Sequence, residues 1–493
     1  MTIAIALSPL LVVGFGALLL MMAEAFSRRQ AGLALGAAAV LFTGATFAGA
    51  TWLYGVDRLT DAGALAPWLI VDRFSLFFDM LLCLGGGLAA LLAGGYLAEH
   101  RIERGEFYAL LLFATLGAMV LAASGDALTL FLGLETMSIG AYALTAFRRA
   151  SPRSAEGALK YFLLGSFAAA LLIYGFALIY GACGHTDLAG IGAAAQNAGP
   201  RSPLLIVGAV LVLAGMVFKV SAVPFHAWTP DAYEGAPTPA TTFMAVAVKA
   251  AAFAMLLRVL VTSFGDASWT SWASGWPPVV ATLAVLTMTV ANLIAGRQES
   301  VKRMLAYSSI AHAGYALLGV TAILRDASEG TSSVLYYLLA YTVSTAGAFG
   351  SLILCGSHGR EAVSYDDLSG LGKRHPAAAL AFSLFLVSLA GIPPTAGFFG
   401  KWFVFKATID AGLYWVAVIA FINSVIGAYY YLRVMVYMYM REPAAGAPVA
   451  VPMRSGYVNA ALLVSAVLVL VLGLMPTRYL DVAVAAAKLG GAG

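Results

Sequence analysis

The sequence predicts an all-α polytopic membrane protein of about fourteen transmembrane helices, built as two inverted five-helix repeats with two broken helices. Composition is the first reason. Apolar residues fill 61% of the 493 positions and charged residues only 11%, under half of the soluble norm of about 25%. No water-soluble core absorbs that much apolar surface, so the bilayer must act as solvent. Segmentation is the second reason, and the sidedness of the basic residues is the third.

Apolar runs near the length of about 20 residues that spans a bilayer fall at 3–25, 31–53, 70–98, 107–123, 126–147, 157–182, 203–225, 239–263, 276–296, 303–323, 332–356, 377–410, 413–439 and 456–475. The connections are too short for a soluble domain. The longest, 184–202 and 357–375, read as ordered surface loops. The first run ends in Ala23-Glu24-Ala25, which mimics a signal-peptidase site. No basic residue precedes it, and Arg28 and Arg29 follow, so it reads as a first spanning helix. Glu24, close to Arg28, reads as an interfacial structural residue.

Alternate connections divide the basic residues unequally. Sixteen, from Arg28 and Arg29 through Lys302 and Arg303 to Arg454, fall on one side. Six, Arg58, Arg73, Arg201, Arg325, Arg478 and Lys488, fall on the other. The richer side is expected to be cytoplasmic, which places both termini in the periplasm.

Two runs are interrupted. The seventh meets Pro224 and passes into Pro230, Pro237 and Pro239, and the twelfth holds Gly391-Ile392-Pro393-Pro394. Proline removes a helix donor and frees a carbonyl, which lipid cannot satisfy. Paired breaks in two halves are the pattern of inverted repeats. The halves run from about 107 to 263 and from about 276 to 439, with flanking helices at 3–98 and 456–475, all in a single membrane domain.

Six of the 28 basic residues remain inside spans: Lys160, Lys219, Lys249, Arg258, Lys401 and Lys406. Each costs roughly 2.5–3.5 kcal/mol near the bilayer centre. Lys406, four residues from Asp410, is expected to snorkel, and Arg258 stands near enough to Gly265 to do the same. The others lie deeper. At about 1.5 Å per residue, Glu135, Lys249, Lys401 and His312 sit about 14–15 Å from the nearest helix ends, and Lys219 and Lys160 about 10 Å. These groups therefore form one central layer on separate helices. A buried lysine loses preference for its charged form, and a nearby carboxylate restores it. Histidine passes protons near neutral pH with little tuning. Such a row suits a proton relay better than static pairing, because Glu135 alone cannot neutralise four lysines.

Other residues carry weaker signals. His226, beside Pro224 and Trp228, is a lower-ranked candidate for gating cytoplasmic access. Asp79 is either a partner or a solvated helix end, and Tyr429, Tyr430, Tyr431, Tyr437 and Tyr439 read as an aromatic belt. Cys83, Cys183 and Cys355 are isolated, with no metal or disulfide spacing.

Three stretches give the sequence a family likeness: FKVSAVPFHAWTPDAYEGAPTPATTFMAVAVK from Phe218 to Lys249, KRMLAYSSIAHAGY from Lys302, and GIPPTAGFFGKW from Gly391. They resemble the antiporter-like membrane subunits of respiratory complex I, and the YEGAPTP segment is most similar to the N (subunit 2) family of NADH:quinone oxidoreductase. The likeness covers nearly the whole chain. It implies that Glu135 in GLETMS partners Lys219, that Lys249 connects the halves, that His312 continues the path and that Lys401 ends it. Lys160 in EGALKYFLLGS matches a proposed modulator of the pair.

It also implies a non-redox enzyme subunit in a bacterial inner membrane, driven by quinone reduction elsewhere. FMN, iron–sulfur clusters and quinone are expected in partner subunits, with no cofactor or metal in this chain. The expected partners are other complex I membrane subunits, the lipid bilayer and protons, and no nucleic acid. The nearest alternative is a cation/proton antiporter or membrane-bound hydrogenase subunit. A purely structural subunit and a haem- or quinone-binding redox subunit are more distant alternatives.

Overall fold

A computed structural model describes residues 3–26, 32–56, 65–199, 202–356, 359–443 and 450–488. Arg28, Arg29, Arg58 and Arg201, used above to count charges by side, lie outside the described residues. The chain is helical, and the only β pairing among the described residues is isolated bridges such as Leu69 with Ser124.

The spans, labelled here in chain order, are α1 (Ser8–Phe26), α2 (Gly32–Tyr54), α3 (Arg73–Glu99), α4 (Glu106–Ala123), α5 (Ala127–Thr145) and α6 (Pro152–Cys183). Then come α7a (Pro203–Lys219), α7b (Trp228–Gly235), α8 (Thr238–Phe264), α9 (Pro277–Ala295), α10 (Val301–Ala322) and α11 (Ala327–Leu354). The series ends with α12a (Pro376–Ala390), α12b (Ala396–Asp410), α13 (Tyr414–Met440) and α14 (Gly456–Leu474). Eleven are long and apolar enough to cross a membrane unaided. The two interrupted helices and the more polar α10 complete the fourteen. Short helices Leu188–Ala198 and Pro476–Ala486 lie outside the fourteen predicted spans, the first occupying the 184–202 connection.

Many helices start where a short polar side chain replaces the first missing acceptors. Asp72 caps α3 through a reciprocal bond with Ser75, and Asp126, Ser151, Ser300, Asp326 and Ser455 cap α5, α6, α10, α11 and α14. In lipid, helix association depends on close packing rather than on water exclusion. Glycine accordingly marks the tightest seams. A methyl group on Gly117 of α4 would stand 2.3 Å from the Met137 amide of α5. Gly175 of α6 and Gly208 of α7a face each other's backbones in the same way.

The breaks share one backbone motif. Beyond α7a, the Ala222 N–H donates to the Val217 carbonyl and Ser221 takes a left-handed φ of 66°. Beyond α12a, the Ile392 N–H donates to the Val387 carbonyl and Gly391 sits at φ 86°. The seventh helix thus ends before Pro224, earlier than the proline alone indicates. At each break the second half-helix donates to a carbonyl of the first: the Trp228 indole to Phe218 O at 3.3 Å, and the Lys401 amine to Ala390 O at 2.8 Å. Four spans, α8 to α11, lie between the two broken helices, so α7a and α12a run in opposite directions.

Candidate functional site

The interior charges sit on helices whose buried faces carry mostly apolar and hydroxyl-bearing residues. Lys219, Lys249, His312 and Lys401 are 2%, 2%, 5% and 6% exposed, so all four are buried within the bundle. None has an ion-pair partner among the described residues. Their acceptors are hydroxyls and backbone carbonyls.

Lys219 is the last residue of α7a. Its amine donates to Ser138 Oγ at 2.7 Å and Tyr142 OH at 3.3 Å, and lies 5.4–5.9 Å from the rings of Tyr142, Tyr161 and Phe218. Such rings stabilise a cation electrostatically without accepting its proton. Glu135, Ser138 and Tyr142 follow one face of α5 at helical spacing. Glu135 is near enough to act on Lys219 through space, but the two side chains do not touch. Its Oε1 is buried without a hydrogen-bond partner. The Lys219 amine is therefore held by hydroxyls, with the Glu135 carboxylate one helical turn from Ser138 on the same face.

Lys249 follows a five-residue π-helical turn, Met244–Val248, within α8. The widened turn is of the kind found at functional positions. Its amine donates to both the carbonyl and the hydroxyl of Ser309 on α10, each at 2.5 Å. One turn further along α10, His312 meets Tyr337 OH through Nδ1 at 2.6 Å and Tyr431 OH through Nε2 at 3.0 Å. Tyr431 OH also bonds Ser308, the neighbour of Ser309. Hydroxyl groups thus hold both Lys249 and His312 along α10.

Past His312, a cavity of about 10 Å³ lies against Tyr337, Ser344, Ser388, Gly397 and Gly400. That is near the minimum for a single water. Tyr315 stands between the histidine and the last lysine, 5.8 Å from the His312 ring and 5.1 Å from the Lys401 amine. Lys401 also donates to Ser424 Oγ at 2.9 Å. It lines an apolar groove of about 570 Å³ between α12b and α13, walled by Phe398, Trp402, Phe405 and Phe421. Gly391 forms part of that wall, and a methyl group there would stand 2.9 Å from Lys401 Cδ.

Several sequence expectations need correction. Lys160 is not in the buried row. Its side chain is 43% exposed and paired with Glu156 at 2.6 Å and Asp231 at 2.7 Å. Asp231 is shared with Arg303 at 2.8 Å. Lys160 projects outward because the buried face of α6 runs through Gly157, Tyr161, Gly165, Ala168 and Leu172. Arg258 does not snorkel. It is 2% exposed and grips Asp72 with two bonds of 2.6 and 3.0 Å. Tyr430 and Tyr431 are buried, whereas Tyr429 is 61% exposed, so only part of the tyrosine run faces outward.

The remaining candidates keep simpler positions. Lys406 is 54% exposed between Glu329 and Asp410, as its place near a helix end requires. His226 lies half-buried in the link between α7a and α7b, with Nδ1 unpaired. Asp79 is 5% exposed in α3, with Oδ1 unpaired, so it is no solvated end. Glu24 accepts the Gly105 N–H at 3.1 Å, consistent with a structural role.

Lys302, counted above as a loop charge, is 1% exposed and reaches Glu361 at 3.2 Å and Ala236 O at 2.8 Å. Glu361 additionally takes bonds from Tyr96 OH and Thr238 Oγ1, with Arg148 at 3.8 Å. Burial alone would raise its carboxyl, but the Lys302 and Arg148 charges and the hydroxyl bonds bring it to about 2. The described residues contain no group of His, Cys, Asp or Glu able to hold a metal ion.

Residues 124–427 match the family described as NADH:quinone oxidoreductase/Mrp antiporter, transmembrane. The sequence is 68% identical to subunit N 1 of NADH-quinone oxidoreductase from Sorangium cellulosum, an alignment covering 98% of each chain. A chain of respiratory complex I from Thermus thermophilus with bound aureothin is similar at TM-score 0.79 and 35% identity, covering 96% of this chain and 98% of that one. A chain of an archaeal membrane-bound sulfane sulfur reductase gives TM-score 0.85 at 26% identity, covering 99% and 97%.

Proposed function

This chain belongs to the subunit N family of NADH-quinone oxidoreductase, within the wider quinone oxidoreductase/Mrp antiporter family, and from that premise we propose that its interior row relays protons. The observation that carries the reading is the set Lys219, Lys249, His312 and Lys401: buried, on four different helices, and held by hydroxyls and carbonyls rather than carboxylates. An amine without a fixed counter-ion has its protonation balanced between burial and neighbouring charge. That balance is what a relay needs and what a static ion pair abolishes.

Each group has an assigned role. Glu135 acts on Lys219 through space, so a charge arriving near Glu135 changes how firmly Lys219 holds its proton. Lys249 receives a proton at the centre and passes it by way of the Ser309 and Ser308 region to Tyr431 and His312. Lys401 takes it beyond Tyr315. Lys160, paired with Asp231 at the side of the bundle, acts on the first pair from outside the row, and His226 borders access from the basic-rich side. The energy comes from quinone reduction in partner subunits, which hold the FMN, the iron–sulfur clusters and the quinone. Moving one charge against 100 mV takes about 2.3 kcal/mol.

The shared break motif, in helices of opposite direction, supports two inverted repeats over about 107–263 and 276–439. The excess of basic residues supports a cytoplasmic face on their side and periplasmic termini. Membership of a respiratory complex supports a bacterial inner membrane.

Lys249→Met in the intact complex tests the relay. The expected result is loss of most proton pumping in proteoliposomes, with NADH:quinone turnover falling alongside it, while Lys249→Arg restores neither. Pumping at the unaltered rate in Lys249→Met would leave Lys249 as packing only.

A further inference from the structure

Where α12a and α14 begin, on the side rich in basic residues, a cavity of about 680 Å³ opens between them. Arg374, His375 and Arg454 line it together with Ser455 and Asn459, and none of its lining residues is acidic. Arg374 gives one bond, to Ser369 O at 2.7 Å. Among the described residues Arg454 has no ion-pair partner, whereas nearby Lys373 is already matched by Glu442 at 2.9 Å. The first turns of both helices also face this space. Pro376 opens α12a without a side-chain cap, and Ala377 and Ala378 line the cavity. Both helices therefore direct the positive ends of their dipoles toward it.

One turn deeper the chemistry changes. Leu380 on α12a is 68% exposed, and Leu463 and Val467 on α14 are 66% and 49% exposed. A cationic cavity at the helix ends thus continues into apolar surface on both walls. Free phosphate matches only the upper part, and so does an acidic peptide segment. A molecule with an anionic phosphate head and hydrocarbon tails matches both.

We propose that this cavity binds the headgroup of an anionic phospholipid, with Arg374 and Arg454 on the phosphate and the acyl chains lying along α12a and α14. The site shares no residue with the proton row, so it stands or falls independently of that reading.

The test uses the intact complex in detergent and a phosphatidylglycerol carrying a photoreactive group in its acyl chain. Labelling is expected on the stretches 376–384 and 456–467. Unlabelled phosphatidylglycerol should compete, and equal phosphatidylcholine or millimolar inorganic phosphate should not. Arg374→Gln/Arg454→Gln should reduce labelling at least fivefold. Arg454→Gln alone, at an exposed and unpaired position, serves if the double variant fails to assemble. Equal competition by phosphatidylcholine would remove the charge recognition, and competition by phosphate would make this a free-anion site. Absence of labelling, with a neighbouring subunit filling the cavity, would also overturn the proposal.

Discussion

Tyr431→Phe separates a relay from an aromatic belt. The phenol oxygen is buried and joins His312 Nε2 at 3.0 Å to Ser308. Removing it deletes two hydrogen bonds of about 1 kcal/mol each, and the unpaired histidine nitrogen alone costs about 1–3 kcal/mol. Taking about 2 kcal/mol against the state in which His312 carries the proton gives roughly a thirtyfold slower transfer, at 1.36 kcal/mol per factor of ten. Proton pumping by the intact complex, followed by dye quenching in proteoliposomes beside NADH:quinone turnover, reads the effect.

The same run supplies two controls. Tyr430→Phe loses a bond to Asn292 Oδ1 at 3.0 Å but leaves both hydrogen bonds of His312 in place, and is expected to pump within about threefold of the unaltered complex. Tyr429→Phe, on an exposed side chain, is expected to change nothing. Unaltered pumping in Tyr431→Phe, or equal loss in all three variants, would refute a path through Tyr431.

Two further outcomes follow from the packing. Glu361 has its carboxyl depressed to about 2 from an ordinary 4.5, so its contribution to stability is full above about 4.5 and is lost as pH falls toward 2. At 1.36 kcal/mol per unit that is about 3 kcal/mol. Glu361→Gln should lower the thermal midpoint at pH 7, and the gap from the unaltered protein should narrow below about 4.5; a gap that stays constant down to pH 3 would contradict this. Gly391→Ala combines a left-handed φ of 86° with a methyl group 2.9 Å from Lys401 Cδ, at a cost of about 1–3 kcal/mol. Pumping should fall while the assembled complex survives native electrophoresis, and undiminished pumping would show that the break tolerates displacement of Lys401.

The helix count, both breaks and the burial of Lys219, Lys249 and Lys401 were legible in the sequence, because a charge or proline inside an apolar run is costly and therefore conspicuous. What the amines touch was not. Ser138, Tyr142, Ser309 and Ser424 are cheap in any helix, so nothing in the composition marks them as partners. Depth also says nothing of rotation. Lys160 lies at an interior depth, yet its neighbour Tyr161 is on the buried face. The Gly157, Tyr161, Gly165 and Ala168 spacing was the readable signal that Lys160 points elsewhere. The same logic would have divided the tyrosine run, since Asn423, Gly427, Tyr430, Tyr431 and Val434 mark one inward stripe of α13.

The two breaks hold their lysines differently. At the first, Phe218 O accepts the Trp228 indole N–H, a donor that does not titrate, so loss of the Lys219 proton breaks no hydrogen bond across the joint between α7a and α7b. That charge is instead felt across the seam to α5, where Glu135 lies. At the second, Ala390 O is taken by the Lys401 amine itself. Loss of the Lys401 proton turns a charge-assisted bond of about 1.5–3 kcal/mol at the joint into a neutral one of about 0.5–1.5 kcal/mol, and the groove beside it is open. On the proposed reading, the first break receives an electrostatic input without moving, and the second changes its own geometry as the proton leaves.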